Sequence, residues 1–507
     1  MTSCGILRTS YNLLASVHLS CLSVRSIRSN LSQICYWLVS LDPLPKIELQ
    51  PMFQTCLSVI ILLTFVVSTS CLSIFMVSPL MEPFKGKMIL APLTKGGNLP
   101  FRRLCADFGM QVSMGEMVFA RMLNKGNHIE QARLRRAPNE DFFGVQIATN
   151  NVEEGLEAIK RAKDAGADFV DLNCGCPIYE ATRRGLGSAL LRSPSKLGTL
   201  VHGMASSQNL PVSVKVRLGC ETETINVHDV VQSLCSAGAA AVTIHGRTAQ
   251  QRYTKPADWK LIRDVVKANI DSGVPIVGNG DILMHYEARR RMLESGVESV
   301  MVGRGALIKP WIFKEFRDNQ SWEPSEAERI AIYRTLTCYM KEHFGNDDLG
   351  RKITWKFLPW HFDFLTRYRA LPEAEYGTDS LDDEPLIQKR ATLVFDEMTP
   401  LEQLLSHRSP KVHDLISNAL WESDSDAHAV SLLKALAESA DLKNIQVVDD
   451  ESNETLELAN VPSNNKRRKF GRRGRDPKPP RTEQEIVAIR AERAAKKARL
   501  AAESTVL

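Results

Sequence analysis

The chain has 507 residues, of which 44% are hydrophobic, so it is long enough for about two to four domains with a sizeable core. This composition excludes a mostly disordered protein. The formal net charge of +5 is unevenly spread, because residues 464–499 carry 14 Lys and Arg against 4 Asp and Glu, a local +10 that leaves −5 elsewhere. The eleven cysteines have no regular spacing, which argues against a disulfide framework, and no CxxC pair offers ligands for a structural zinc ion.

The first 82 residues form a hydrophobic N-terminal extension. Residues 1–41 contain no acidic residue, as in an organelle transit peptide, and residues 49–81 run without a charge, long enough for a membrane span. Three interpretations stay open: a targeting presequence, a genuine membrane anchor at residues 55–80, and upstream sequence outside the working protein. We expect contact with a membrane only under the second interpretation.

Eight short apolar runs rich in Val and Ile come next, and such runs are typical of buried parallel strands. They are "KMILAPLT" (87–94), "VSMGEMV" (112–118), "FFGVQIA" (142–148), "DFVDLNC" (168–174), "VSVKVRLG" (212–219), "AVTIHGR" (241–247), "VPIVGNGD" (274–281) and "SVMVGRG" (299–305). Segments with helical spacing lie between them, and residues 151–166, 228–238 and 285–296 each end in a glycine, as at a helix C-cap. The alternation predicts an α/β fold, a (β/α)8 TIM barrel over residues 83–320, rather than an open doubly wound sheet.

The pattern changes beyond residue 320. Residues 324–345 and 351–373 are amphipathic with aromatic and basic residues interleaved, which predicts helices in a smaller all-α domain over residues 321–440. An aromatic core with a solvated basic face and a surface for an RNA backbone are both open interpretations of this domain. Residues 441–507 predict a disordered basic tail that attracts polyanions or acts as a nuclear address.

The carboxyl ends of the strands build the active site of a TIM barrel, and here they carry many polar residues. These are Thr94, Glu116, Gln146, Asn173, Cys176, Lys215, Arg217, His245, Asn279, Asp281 and Arg304. Glycine-rich turns after the last two strands, with Arg304 to neutralise charge, favour a mononucleotide phosphate such as that of FMN. Lys215 suits the N1/C2 carbonyl region of a flavin, and Gln146 and Asn279 suit its pyrimidine edge. His245 either reaches flavin or substrate or is a satisfied histidine inside the barrel mouth.

The stretch "DLNCGCPIYEATRRGLGSALL" (171–191) sets Cys174 and Cys176 one residue apart. A metal clip, a disulfide, a phosphate loop and a single reactive thiol are the possibilities. A disulfide between such close cysteines is strained and a metal has no further ligands, so one working thiol is favoured. Pro177 stiffens the chain just after Cys176, which suits a positioned proton donor.

The segment "RRGLGSAL" (183–190) follows this turn. Its two glycines predict a mobile loop over the barrel mouth. Arg183 and Arg184 are placed there to meet an anionic substrate.

Nine motifs in order resemble those of the tRNA-dihydrouridine synthases. They are "APLTKGGNLPFRRLCADFG", "GEM", "FGVQIA", "DFVDLNCGCPI", "GSALL", "SVKVRLG", "IHGRT", "GNGDI" and "MVGRGAL". "GNLPFRR" with "GCPI" is most similar to the eukaryotic branch that acts on uridine 47 in the variable loop. The resemblance covers residues 84–320 strongly and the helical region more loosely. The sequence departs from this branch in lacking CCCH zinc fingers ahead of the barrel, in its hydrophobic leader, and in Cys174, where the family more often has an apolar residue.

The resemblance implies an enzyme that uses FMN and takes hydride from NADPH or NADH. The hydride passes to C6 of a tRNA uridine while Cys176 protonates C5. The implied FMN contacts are Pro92, Leu93, Thr94, Gln146, Lys215, His245, Asn279, Gly280, Asp281, Gly303 and Arg304, and the implied substrate contacts are Asn173, Glu116, Arg217, Arg183 and Arg184.

The resemblance also implies tRNA contacts through the helical domain and tail, and a cytoplasmic or nuclear location. From the residue pattern we expect no metal, and we expect a monomer. An organelle or membrane location follows instead from the N-terminal extension. Two alternatives are an FMN-dependent TIM-barrel oxidoreductase acting on a free pyrimidine such as dihydroorotate, and a non-catalytic RNA-binding relative.

Overall fold

A computed structural model describes residues 81–207, 209–251, 253, 255–377, 384–388 and 398–439. Its strands are β1 (Met88–Leu90), β2 (Val112–Met114), β3 (Val118–Phe119), β4 (Phe142–Ala148), β5 (Phe169–Cys174), β6 (Val212–Arg217), β7 (Ala241–His245), β8 (Ile276–Asn279) and β9 (Ser299–Val302). They pair in parallel, and because β1 pairs with β2 and β9 while β2 pairs with β4, eight of them close into the ring β1-β2-β4-β5-β6-β7-β8-β9. This ring confirms the predicted TIM barrel.

The run predicted as one strand over residues 112–118 is two strands, so this part of the prediction was wrong. β2 pairs with the beginning of β4, and β3 pairs with its end. Residues 115–117 lie outside both strands, although the backbone N–H of Gly115 still donates to the carbonyl of Gly144 on β4 (2.9 Å). Glycine is a residue type that weakens a strand interior. Glu116 lies in this break, where its carboxylate accepts a hydrogen bond from the backbone N–H of Lys95 (2.9 Å).

Helices follow the strands around the outside of the barrel. In the barrel region they are α1 (Met81–Phe84), α2 (Leu99–Asp107), α3 (Ala120–Asn124), α4 (His128–Ala132), α5 (Val152–Asp164), α6 (Tyr179–Thr182), α7 (Pro194–Ala205), α8 (Val227–Ser236), α9 (Trp259–Ala268), α10 (His285–Ser295), α11 (Arg304–Ile308) and α12 (Ile312–Asp318). Short 3-10 turns lie at Gly187–Arg192, Thr222–Thr224 and Ile270–Ser272. The predicted C-cap glycines Gly166, Gly238 and Gly296 have φ angles of 84°, 86° and 73°, which confirms where these three helices end.

The amino-terminal half of the barrel interior is filled with apolar side chains. They are Phe84, Ile89, Ala91, Val112, Met114, Phe169, Val277 and Met301. Phe84 comes from α1, and its ring lies 5.1 Å from that of Phe169. Gly144 leaves the space that Phe169 needs, since a Cβ at this position would lie 2.2 Å from the ring. In the part of the barrel that the structure describes, the interior is therefore solid at this end, and the large cavity lies toward the carboxyl ends of the strands.

A helical region packs against the barrel beyond residue 320. Its helices are α13 (Glu326–Phe344), α14 (Asp348–Thr354), α15 (Leu358–Leu365), α16 (Glu373–Tyr376), α17 (Pro400–Leu405), α18 (Pro410–Glu422) and α19 (Asp426–Ala437). α13 confirms the first predicted helix and lies on α2, where the Tyr339 hydroxyl donates to Asp107 (2.6 Å) and the Arg103 guanidinium stacks on the Tyr339 ring (3.7 Å). Residues 351–373, predicted as continuously helical, are interrupted after Thr354, so this prediction was wrong. Pro359 has no N–H to donate to the carbonyl of Trp355, and a new helix begins at Leu358.

In the part of the chain that the structure describes, no helix is both long and apolar enough to cross a membrane. Residues 1–80 and 440–507 lie outside the described ranges. The three interpretations of the N-terminal extension and the predicted disorder of the tail therefore concern residues outside the described structure.

Candidate active site

A cavity of about 930 Å³ opens at the carboxyl ends of the barrel strands. Most of the predicted site residues line it. They are Cys176, Asn173, Arg217, Pro92, Leu93, Thr94, Gln146, Lys215, His245, Asn279, Gly280, Asp281, Gly303 and Arg304. The structure thus brings the predicted thiol and the predicted cofactor contacts into one space.

The turn that carries Cys176 is held from two sides. The side-chain oxygen of Asn173 accepts hydrogen bonds from the backbone N–H groups of Cys176 (2.9 Å) and Gly175 (3.3 Å). The carbonyl of Cys176 accepts a further hydrogen bond from the backbone N–H of Ser188 (3.0 Å). Residues 183–190, predicted as a mobile loop, are therefore tied to this turn and run into a 3-10 helix. Three hydrogen bonds therefore hold the backbone that carries the thiol.

The two neighbouring thiols have different surroundings. Cys174 is fully buried in the apolar layer outside the barrel, because side chains alternate along β5, whereas Cys176 lies beyond the strand end and lines the cavity. Burial raises the pKa of Cys176, and it outweighs the lowering effects of the Ile178 backbone and of the Arg217 and Lys215 charges. Cys176 therefore keeps its proton at neutral pH and is available as an acid.

A buried acid that the sequence analysis missed supports this turn from below. Asp171 accepts hydrogen bonds from Gln146 Nε2 (2.8 Å) and Ser213 Oγ (2.8 Å). Burial raises the pKa of Asp171 to about 6 against the opposing effect of these two hydrogen bonds. Gln146 Oε1 in turn accepts from Asn173 Nδ2 (2.8 Å), so both ends of the Gln146 amide are occupied by protein groups. The chain of hydrogen bonds runs from Asp171 to the backbone of Cys176.

Lys215 lies on the neighbouring strand and projects into the same cavity. Its ammonium donates to Asn279 Oδ1 (2.8 Å), and Asn279 Nδ2 donates to the carbonyl of Met301 (2.8 Å). Burial and, to a smaller extent, the Arg217 charge together lower the pKa of Lys215 to about 7, against the opposing effects of Asp171 and Cys176. An anion beside the ammonium reverses part of this effect, since it favours the charged form.

His245 at the end of β7 is held as a neutral ring in a defined tautomer. Its Nε2 lies 3.3 Å from Nη1 of Arg247. A guanidinium only donates, so Nε2 is the acceptor and the ring proton sits on Nδ1. Burial and the charges of Arg217 and Lys215 lower the pKa of His245 well below its usual range. The imidazole thus offers one N–H and no positive charge.

Asp281 forms ion pairs with two arginines, Arg247 and Arg304, beside the glycine-rich turns. Its carboxylate accepts from Arg247 (2.7 Å), from Arg304 (2.7 Å) and from the backbone N–H of Ala257 (2.7 Å). The Arg304 guanidinium also stacks on the ring of Tyr253 (4.1 Å). Two guanidinium groups share one carboxylate, which leaves excess positive charge at this end of the cavity.

The helical region supplies one wall of the cavity. Trp360 and Phe364 on α15 line it with their ring centroids 4.9 Å apart. Ile387 lines it as well, and the neighbouring Gln388 donates to the carbonyl of Tyr253 (3.0 Å). The cavity is therefore completed by two parts of the chain that the sequence analysis treated as separate domains.

The family model described as "Dihydrouridine synthase (Dus)" matches residues 89–377, more than half of the chain and nearly all of the barrel. This chain belongs to the dihydrouridine synthase family. The resemblance seen in the nine motifs is thereby confirmed.

Named relatives of this chain agree with the family match. It is 42% identical over 304 residues to "tRNA-dihydrouridine(47) synthase [NAD(P)(+)]-like" of Homo sapiens, covering 59% of this chain and 46% of that protein. It is 40% identical over 306 residues to the protein of the same name in Xenopus tropicalis, covering 60% of this chain and 47% of that protein. The chain therefore spans about half the length of the relatives it matches. A solved structure of histamine dehydrogenase from Rhizobium sp. 4-9 aligns with a TM-score of 0.38 and 12% identity over 50% of this chain and 49% of that chain, which adds nothing to the argument.

Three predicted substrate residues lie outside the cavity lining. Glu116 binds the backbone of Lys95 in the break between β2 and β3. The guanidinium of Arg184 lies 5.2 Å from the Phe119 ring, and Arg183 lies near the exposed ring of Tyr179. They surround the turn of Cys176 from outside rather than face the thiol.

The sequence analysis missed other residues that shape the site. They are Asp171, Arg247, Tyr253, Trp360 and Phe364. Arg247 stands in the quoted motif "IHGRT", and Asp171 is an acid within an apolar strand, so both had a visible signal. Among the described residues, no group of three or more His, Cys, Asp or Glu side chains is placed to hold a metal ion.

Proposed function

We propose that this chain is a tRNA-dihydrouridine synthase that uses FMN and takes hydride from NADPH or NADH. The observation that carries the proposal is the position of the Cys176 thiol, on a hydrogen-bonded turn that lines a cationic cavity at the barrel mouth. Membership of the dihydrouridine synthase family and the names of the relatives support it. The substrate is a uridine of tRNA, and those names suggest position 47.

The residues of the cavity fit FMN in charge and in size. The cationic side chains that line it are Lys95, Lys215, Arg217, Arg247 and Arg304, against one acid in the described lining, Asp281. A volume of about 930 Å³ is near the upper end of ligand pockets, about 300–1,000 Å³, which leaves room for a nucleobase beside the cofactor. Arg304 and Gly303 would hold the phosphate, and Lys215 and Asn279 would hold the polar edge of the ring.

FMN, when bound, supplies to C6 of the uridine the hydride that it has received from NADPH or NADH. The protein supplies the proton. As the S–H bond of Cys176 breaks, a C–H bond forms at C5, and the C5=C6 double bond is thereby reduced. The positive charges of Arg217 and Lys215, which partly oppose the rise in the pKa of this thiol, stabilise the thiolate until water returns the proton.

The uridine must leave its stacked position in the RNA to reach the thiol, at a cost of about a few kcal/mol that other contacts have to offset. We assign residues 83–320 to the catalytic barrel and residues 321–440 to a helical domain that contacts tRNA, with the extension at 1–82 and the basic tail at 441–507. The position of Trp360 and Phe364 beside the cavity supports this role for the helical domain.

The experiment is reduction of an unmodified tRNA transcript by the purified full chain with FMN and NADPH or NADH. Dihydrouridine is measured by mass spectrometry of the digested RNA, with free uridine and orotate tested in parallel. We expect turnover of tRNA alone, at a position that fragment mapping identifies. Turnover of a free pyrimidine alone would instead support the dihydroorotate-type alternative.

The thiol is tested by Cys176→Ala, with Cys174→Ala as a matched control. Loss of a general acid lowers the rate by about 10²–10⁴-fold, so Cys176→Ala should bind FMN and form dihydrouridine very slowly. Cys174→Ala should keep the rate, because Cys174 is packed outside the barrel. Equal rates in the two variants would contradict the assignment of Cys176 as proton donor.

A further inference from the structure

The residues just after the Cys176 turn present an aromatic side chain to solvent. Tyr179 begins the short helix α6, and 54% of the residue's surface is exposed. The large apolar and aromatic side chains that line the cavity in the described residues are buried or half-buried, unlike Tyr179. Two residues before Tyr179, Pro177 lines the cavity, and so does Ile178. The exposed ring therefore stands at the rim of the site.

Two arginines accompany this ring. The Arg183 guanidinium lies 5.7 Å from the centroid of Tyr179, and the Arg184 guanidinium lies 5.2 Å from that of Phe119. Both arginines are exposed, and neither has an acid within ion-pair distance among the described side chains. Tyr179, Arg183 and Arg184 form what we call the rim patch. The exposed carboxylate of Glu180 on the same helix reduces the local charge of the two arginines to +1, which still favours a polyanion.

The backbone beneath the rim patch is anchored to the site. Ala181 and Leu186 are buried in a small apolar cluster that also contains Met117, and Ile178 packs against it. The backbone N–H of Leu186 donates to the carbonyl of Ala181 (3.1 Å). The rim patch is thus held at a constant position relative to the turn of Cys176, as a contact that orients a substrate must be.

We propose that the rim patch binds the nucleotide that flanks the target uridine, with its base stacked on Tyr179 and its phosphates contacted by Arg183 and Arg184. This inference rests on the proposed function and deepens it. When one nucleotide turns out of an RNA stack, the base beside it loses a stacking partner. An exposed aromatic ring accepts any base on its face, and the arginines neutralise the backbone. The rim patch thereby recovers part of the cost of extracting the uridine.

The test compares the tRNA affinity and reaction rate of Tyr179→Ala, Tyr179→Phe and Leu293→Ala in the full chain loaded with FMN. Leu293 is a large exposed side chain on α10 and serves as the matched control. We expect Tyr179→Ala to bind unmodified tRNA about tenfold more weakly, as for the loss of one base stack, with reduction of the flavin by NADPH unchanged. Tyr179→Phe and Leu293→Ala should behave as the wild type.

The arginines are separated from the ring by salt dependence. Arg183→Gln and Arg184→Gln should each reduce the slope of log Kd against log salt concentration by about one, whereas Tyr179→Ala should leave the slope unchanged. Lys160→Gln, on the exposed face of α5, is the control for a general loss of charge.

Each outcome decides something. An unchanged tRNA Kd in Tyr179→Ala, as expected if the ring serves a protein partner, would overturn the rim patch. Equal weakening in Tyr179→Phe and Tyr179→Ala would overturn the stacking role. tRNA binding without any dihydrouridine formation in the wild type would overturn the proposed function, while the affinities of the variants would still report on the rim patch.

Discussion

The side chain of Asn173 makes the bonds that hold the catalytic turn, and its removal gives a quantitative prediction. Asn173→Ala deletes two hydrogen bonds to the backbone of Gly175 and Cys176 and one to Gln146, at 2.8–3.3 Å. At about 0.5–1.5 kcal/mol each, the variant should lose about 3 kcal/mol of stability in urea unfolding. The larger effect falls on the rate, because a shift of about 1 Å in a reacting group costs about 10²-fold.

The assay is single-turnover formation of dihydrouridine by flavin that has been reduced beforehand, which isolates the step in which Cys176 takes part. Asn226→Ala is the matched control, since it loses an amide hydrogen bond to the carbonyl of Leu191 (2.8 Å) outside the cavity lining. It should lose about 1 kcal/mol of stability and none of the rate. A wild-type rate in Asn173→Ala, with the stability loss present, would refute the idea that this side chain positions the thiol.

Three other predictions concern charge. The pKa of Lys215 is lowered to about 7, so its ammonium is lost as the pH rises through 7; FMN titrated by fluorescence between about pH 6 and pH 9 should bind more weakly at the higher pH, and Lys215→Met should remove this trend. Arg247→Lys keeps the charge but loses the paired bonds to Asp281, so the Kd for FMN should rise about tenfold in the same titration; an unchanged Kd would show that charge alone suffices. Removal of residues 464–507 should flatten the salt dependence of tRNA binding measured by filter retention, and an unchanged slope would assign the tail to localisation.

The sequence was sufficient to predict the barrel and the location of Cys176 at its mouth, while the role of this thiol stays a prediction. Apolar runs of strand length alternated with helical segments ending in glycine. Both signals depend on residues close together in the chain, so they can be recognised without the fold. Cys176 was found because Pro177 and the preceding strand fix its position. The break in the 112–118 run was not visible, because it depends on which residues of β4 the strand meets.

The site residues that were not predicted owe their positions to contacts between segments far apart in the chain. Asp171 alternates with apolar neighbours, so the run looked uniformly buried, and only the closed ring shows that this side chain faces inward. Arg247 meets Asp281 across 34 residues of chain. Trp360 lines the cavity from α15, and the sequence pattern of this helix does not show how it packs against the barrel. Pairings of this kind arise only when separate elements come together.

The packed floor beneath the cavity, built around Phe84, Phe169 and Gly144, has a kinetic consequence. Because the described side chains fill the barrel at this end, whatever reaches the reacting centre enters from the carboxyl ends of the strands. A nicotinamide and a nucleobase that use the same face of the flavin cannot be bound there together. Reduction of the flavin and reduction of the uridine therefore alternate. Double-reciprocal plots at several fixed NADPH concentrations should then be parallel, the pattern of a ping-pong enzyme.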